Sequence, residues 1–141
     1  MPNHRLLIID DSLTIRAMIE QIFAKYTDIK VVGVANGSIE AIEQIDRLYP
    51  DVLTLDIAMP GIDGLLFLEQ MMKKRPIPVV IVSGLALPGN EICQKAVAIG
   101  ASECFEKSKI LSNAVDFVKT VRSAKVGKAS LPVDQFTTST S

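Results

Sequence analysis

The chain has 141 residues, a formal net charge of −1 and an apolar share of 48%, which fits one domain able to bury a substantial core. The near-neutral charge gives no electrostatic basis for binding nucleic acid or an acidic membrane surface. The longest apolar run is far shorter than a membrane span, and because Met1-Pro-Asn-His-Arg5 leads straight into the first apolar run, no signal peptide is expected.

That first run, Arg5-Leu-Leu-Ile-Ile9, reads as a strand and is followed by Asp10-Asp11-Ser12. A helix is predicted over about residues 12–25, with Ser12 as N-cap and Ile15, Met18, Ile19, Ile22 and Phe23 on one apolar face. A second strand near residues 29–35 is broken by Asn36-Gly37, and a second helix over about 38–49 places Ile42, Ile45 and Tyr49 inward until Pro50 stops it. Asp51-Val-Leu-Thr-Leu55 is a third strand and leads to Asp56. The third helix starts near Gly64, ends before Pro76 and buries Leu65, Leu68 and Met72. Val79-Val-Ile-Val82 is a fourth strand and leads to Ser83-Gly84. Helix four covers about 90–99, and Gly100 is a natural residue to end it. A short strand around 103–106 ends before Lys107, and a last helix carries Ile110, Ala114, Phe117 and Val121 inward.

Alternating strands and helices predict a doubly wound α/β fold with a parallel sheet and helices on both faces. Residues 1–123 are expected to form that domain. Residues 124–141, ending in Phe136-Thr-Thr-Ser-Thr-Ser141, are expected to be a disordered tail or linker. Cys93 and Cys104 are expected to form neither a disulfide framework nor a zinc site, and the protein is read as cytoplasmic with reduced thiols.

Asp10, Asp11, Asp56, Ser83 and Lys107 all fall at or just past the carboxyl ends of predicted strands. In open parallel sheets that edge is where ligands gather. Any one of these residues has an ordinary explanation as a turn, cap or solvated side chain; their coincidence at one edge does not. An aspartate can attack phosphorus and form an aspartyl phosphate. A Mg²⁺ ion, which favours carboxylate and phosphate oxygens, removes the repulsion between that carboxylate and the phosphoryl group. Lys107 offers a point charge and Ser83 a hydroxyl to phosphoryl oxygens.

These residues, with the motif Asp56-Ile-Ala-Met59-Pro60-Gly61-Ile-Asp63-Gly64, resemble the receiver domain of two-component response regulators over about residues 4–123. The resemblance implies a five-stranded parallel sheet of order 2-1-3-4-5 with five flanking helices, the flavodoxin-like receiver fold. It implies Asp56 as phospho-acceptor, with Ser83 and Lys107 contacting the phosphoryl group. It further implies Mg²⁺ held by Asp11, Asp56 and the Ala58 backbone carbonyl, with Asp10 acting through water. The implied donor is a histidine kinase or a phosphotransfer protein. The implied output is a partner in trans or a C-terminal output domain outside this chain, with a monomer or a phosphorylation-dependent dimer as the oligomeric state. Within the family, Ile9-Asp-Asp-Ser-Leu-Thr-Ile-Arg16 and Pro78-Val-Val-Ile-Val-Ser83 are most similar to receivers of chemotaxis methylesterases.

Two positions depart from the family pattern. Ser108 follows Lys107 where receivers usually carry a cis-proline; a cis bond before a non-proline costs about 3 kcal/mol, so a trans bond is expected. Ser108 is also a candidate cap for the last helix. Cys104 stands where receivers usually carry a switch aromatic, and the neighbouring Phe105 must face the other side of the strand.

Other functions fit less well. A haloacid dehalogenase-type phosphatase shares aspartyl-phosphate chemistry but needs a second acid where Ala58 stands. A flavin carrier of the same topology wants a glycine- and hydroxyl-rich phosphate loop in place of Asp10-Asp11. A Ser-His-Asp esterase has only His4 to draw on, at the wrong end of the sheet. The apolar loop Gly84-Leu-Ala-Leu-Pro-Gly89 is either a docking patch or loop packing.

In receivers, side chains two residues beyond the phospho-acceptor and two beyond the hydroxyl residue tune hydrolysis, and here these are Ala58 and Leu85. Neither can position water by hydrogen bonding. The phosphoryl group is therefore expected to be long-lived, and Ala58→Asn to shorten its half-life, as followed by loss of radiolabel; a shorter half-life in the wild type than in the variant contradicts the reading.

Overall fold

The computed structural model describes residues 4–57, 64–84 and 91–127, except for the side chain of Ser83. The strands are β1 (His4–Ile9), β2 (Ile29–Ala35), β3 (Val52–Leu55), β4 (Val79–Ser83) and β5 (Glu103–Glu106). The α-helices are α1 (Leu13–Phe23), α2 (Ser38–Leu48), α3 (Gly64–Lys74), α4 (Glu91–Ile99) and α5 (Ala114–Arg122), with a 3-10 turn at Lys107–Lys109. The sheet has the order β2-β1-β3-β4-β5, and its neighbouring strands pair in parallel.

Strand alternation divides the core into two layers. Leu7, Ile9, Leu53, Leu55, Val79 and Ile81 face α2, α3 and α4. Leu6, Ile8, Val52, Val80 and Val82 face α1 and α5. On the second face Phe117 is fully buried and stacks at tilted angles on Phe105 at 5.0 Å and Phe23 at 5.8 Å.

Local chemistry explains the helix boundaries. Ser12 caps α1 by accepting the Ile15 amide on Oγ at 3.2 Å. Gly100 ends α4 with φ 140°, and the amides of Gly100 and Ala101 both donate to the Ala96 carbonyl. Gly64 starts α3 tight against Ile57, where an added Cβ would lie 2.7 Å from the Ile57 carbonyl oxygen.

Several expectations are corrected. On α2 the buried residues are Ala41 and Ile45, whereas Ile42 is 46% exposed and Tyr49 64% exposed. Tyr49 adopts a left-handed conformation (φ 51°) at the end of α2, and its ring lies under the Arg75 guanidinium at 4.4 Å. Phe67 and Met71 join Leu68 and Met72 in the core beneath α3, while Leu65 is only partly buried. Ser108 does not cap α5. It lies in the 3-10 turn, its hydroxyl donates to Glu106 Oε2 at 2.8 Å, and α5 begins only at Ala114 after Asn113. No cis peptide bond occurs among the described residues.

Residues 124–127 of the expected tail make contacts with the domain. Ala124 packs in one core layer and Val126 against the other, the Lys125 amide donates to Ser102 Oγ and the Gly127 amide to the Gly100 carbonyl at 2.7 Å. The remainder of that segment, 128–141, lies outside the described residues, as do Ala58, the Asp63 turn and the loop 85–90.

The expectation of two unlinked cysteines is also overturned: Cys93 and Cys104 form a disulfide, with Cα atoms 6.1 Å apart. The fold carries the first turn of α4 over β5, and the residues meet within the span that a disulfide requires.

Phe117→Ala is expected to destabilise the protein by about 3–5 kcal/mol, because it removes the ring that joins α5, β5 and α1. A urea midpoint close to that of the wild type excludes this account of the core.

Candidate functional site

Strand register assembles the site. Ile9 of β1 pairs with Leu55 of β3, and Leu55 pairs with Ile81 of β4. Ser83, the last residue of β4, pairs with Glu106, the last of β5. The residues that follow β1, β3 and β5 are Asp10, Asp56 and Lys107, so all three emerge at one edge beside Ser83. Backbone bonds continue just past the strands: the Asp56 amide donates to the Ile9 carbonyl at 2.9 Å, and the Asp10 amide to the Ala35 carbonyl at 3.0 Å.

Asp10 and Asp56 are buried, at 1% and 4% exposure, and Asp11 is exposed. Carboxylate oxygens of the three lie within 4.8 Å of one another. Lys107 Nζ reaches between two of them, 2.9 Å from Asp56 Oδ2 and 3.4 Å from Asp10 Oδ2. Among the described residues, the Lys107 ammonium and, on the Asp10 carbonyl, the Arg16 guanidinium stand against three carboxylates, which leaves an excess of negative charge among oxygen donors. Such a set suits a small hard cation.

Burial pushes the Asp10 carboxyl above its ordinary value; the Ser12 amide, donating to Oδ1 at 2.8 Å, opposes this, the like charge of Asp56 adds to it, and Lys107 opposes it. Burial acts to lower the Lys107 ammonium, but its hydrogen bond to Asp56 and the charges of Asp10 and Asp56 outweigh that effect and raise it. Lys107 therefore stays protonated at neutral pH.

The structure brings together Asp10, Asp11, Asp56 and Lys107, and sets the Ser83 backbone beside them. The Ser83 side chain and Ala58 lie outside the described set. One supporting residue carries no strong signal in the sequence: the Arg16 guanidinium donates to the Asp10 carbonyl at 2.7 Å. It stands one turn beyond the Ser12 cap, at the end of the run Ile9–Arg16.

A sheet of this order, with this edge, defines a receiver. The model of the response regulator receiver domain matches residues 6–119, and the chain belongs to that family. Among curated proteins it is similar to the protein-glutamate methylesterase/protein-glutamine glutaminase of Thiobacillus denitrificans, with 47% identity over 106 residues, 75% of this chain and 30% of that protein. The chain thus spans about 30% of the length of the curated relatives it matches. Among solved structures it resembles the response regulator domain of Thermotoga maritima CheB, with TM-score 0.82, 34% identity and coverage of 87% of this chain and 96% of that one. It also resembles a chain in the complex of the CheA3 P1 domain with CheY6 from R. sphaeroides, with TM-score 0.74, 26% identity and coverage of 87% and 97%. No helix among the described residues is long and apolar enough to cross a membrane.

The raised Asp10 carboxyl has a signed consequence. The folded protein binds that proton more tightly than the unfolded chain does, so stability falls as pH rises from 3.8 through the raised value. In metal-free buffer at neutral pH, Asp10→Asn is expected to melt above the wild type, with the difference vanishing below pH 3.8. A variant that melts lower at neutral pH contradicts this electrostatic account.

Proposed function

We propose that this chain is a phosphorylation-controlled interaction module in which Asp56 accepts a phosphoryl group from a histidine kinase or phosphotransfer protein. The observation that carries the proposal is the buried Asp56 carboxylate, held by Lys107 at 2.9 Å beside Asp10 at the carboxyl edge of the sheet. An Asp56 oxygen attacks phosphorus, and the bond from phosphorus to the donor's nitrogen or oxygen breaks, with that electron pair leaving on the donor. Lys107, now bound to Asp56, is positioned to follow the charge onto a phosphoryl oxygen. Ser83, at the end of β4, is assigned the second contact to the phosphoryl group.

Asp10, Asp11 and Asp56, with the Ala58 carbonyl, are the residues that would hold Mg²⁺. Bound there, the ion would offset the repulsion between the carboxylate and the incoming phosphoryl group. The all-oxygen donors and surplus negative charge support this assignment.

The output is assigned to a surface that changes on phosphorylation, acting on a partner in trans or on a domain beyond the receiver. The similarity to methylesterases favours a regulatory segment of such a protein, with residues 1–123 as receiver and the segment from 124 as the lead into a linker. The protein is read as cytoplasmic, and as a monomer or a phosphorylation-dependent dimer. Similarity to a chain from a complex of the CheA3 P1 domain with CheY6 supports a partner of that kind as the donor.

Acetyl phosphate with Mg²⁺ is expected to phosphorylate the wild type on Asp56, seen as a phosphoryl mass increment, and to leave Asp56→Asn unmodified. Removal of Mg²⁺ by a chelator is expected to abolish incorporation. A wild type that neither binds Mg²⁺ nor takes up the phosphoryl group defeats the proposal.

A further inference from the structure

β5 ties the sheet to two helices on opposite faces. Phe105 packs on Phe117 of α5, and the preceding Cys104 lies on the other face, bonded to Cys93 in the first turn of α4. The strand's continuation carries Lys107 into the acidic pocket. α4 follows the carboxyl end of β4, and the disulfide joins its first turn to Cys104, the second residue of β5, which pairs with Ile81 in the middle of β4.

α4 buries fewer side chains than α3. It buries one residue fully, Ala96, whereas α3 buries Gly64, Phe67, Leu68, Met71 and Met72. Ile92 and Ile99 add only partly buried contact. A covalent tie adds to that packing. Both cysteines are partly buried, Cys104 against the core layer beneath α4.

We propose that Cys93 and Cys104 form a reversible thiol–disulfide site whose closed form pins α4 to β5 and whose open form releases it. Closure requires an oxidant of the low-molecular-weight disulfide class. One cysteine thiolate attacks a sulfur of that disulfide and expels the first small thiolate, giving a mixed disulfide. The second cysteine thiolate then attacks the protein sulfur and expels the other. Two cysteine thiols are oxidised and one small disulfide is reduced to two thiols; reduction runs the same exchange backwards. Resting on the phosphorylation reading, the closed form also limits any rearrangement of α4 that follows modification of Asp56.

The test uses the full chain equilibrated in mixtures of reduced and oxidised glutathione, followed by acid quench, alkylation and mass measurement. The intramolecularly oxidised fraction is expected to climb from near zero to near complete across the series, and Cys93→Ser or Cys104→Ser to abolish the intramolecular species. Hydrogen exchange in α4 of the unphosphorylated protein is expected to be roughly tenfold or more slower in the oxidised form, a lower bound set by the usual stabilising effect of a disulfide. Two alkylatable thiols throughout, only intermolecular bonds, or identical α4 exchange in the two forms would overturn the proposal. These readouts need no phosphoryl group, so they stand apart from a failure of Asp56 to react. In a final arm, beryllofluoride with Mg²⁺ is expected to alter α4 exchange more in the reduced form than in the oxidised one, and an equal response refutes the coupling.

Discussion

The ammonium of Lys107 between the carboxylates of Asp56 and Asp10 is the interaction on which the site depends. Asp10 is buried, and that loss of solvation, to which the like charge of Asp56 adds, is why it holds its proton more tightly than an ordinary aspartate. Lys107 comes from the far side of β4 to offset that charge and is itself kept protonated by it. The three groups meet only because β1, β3, β4 and β5 end in register. A one-residue slip of β3 would turn Asp56 to the opposite face and bring Leu55 towards the pocket. The apolar layers that lock the register are thus part of the site's chemistry as well as of its stability.

The same alternation makes β5 a junction. Its consecutive residues Cys104 and Phe105 reach α4 on one face and α5 on the other, and Lys107 follows into the pocket. In most of the sheet the outward ties are apolar packing, spread over several residues of each helix. At α4 the packing is thin and a single covalent bond supplements it.

Much of this was legible in the chain. Apolar runs ending in Asp10, Asp56, Ser83 and Lys107 give both the parallel sheet and the membership of one edge, because a strand's carboxyl end is readable from where its apolar run stops. Ser12 and Gly100 announce their caps for equally local reasons. Less legible was whatever depends on what a helix packs against. The spacing of Ile42, Ile45 and Tyr49 suits a helical face, but Ala41 and Ile45 sit over the sheet, and the left-handed turn at Tyr49 sends its ring out to Arg75. Phe67 and Met71 are core residues because α3 has neighbours on more than one side, which a single-stripe reading underestimates. The start of α5 was displaced by the 3-10 turn, where Ser108 turns to Glu106 instead of to the helix.

By itself, then, the sequence determined the order of elements, the two-faced core and the identity of the acids and lysine at the carboxyl edge, since each follows from short-range pattern and from the chemistry of single side chains. Only the tertiary structure decided which oxygens Lys107 approaches, that residues 124–127 pack against the domain, and that Cys93 and Cys104 are bonded. The physical reason is common to all three. Each depends on distances between elements that are separate along the chain, and those distances are set by strand register and helix placement.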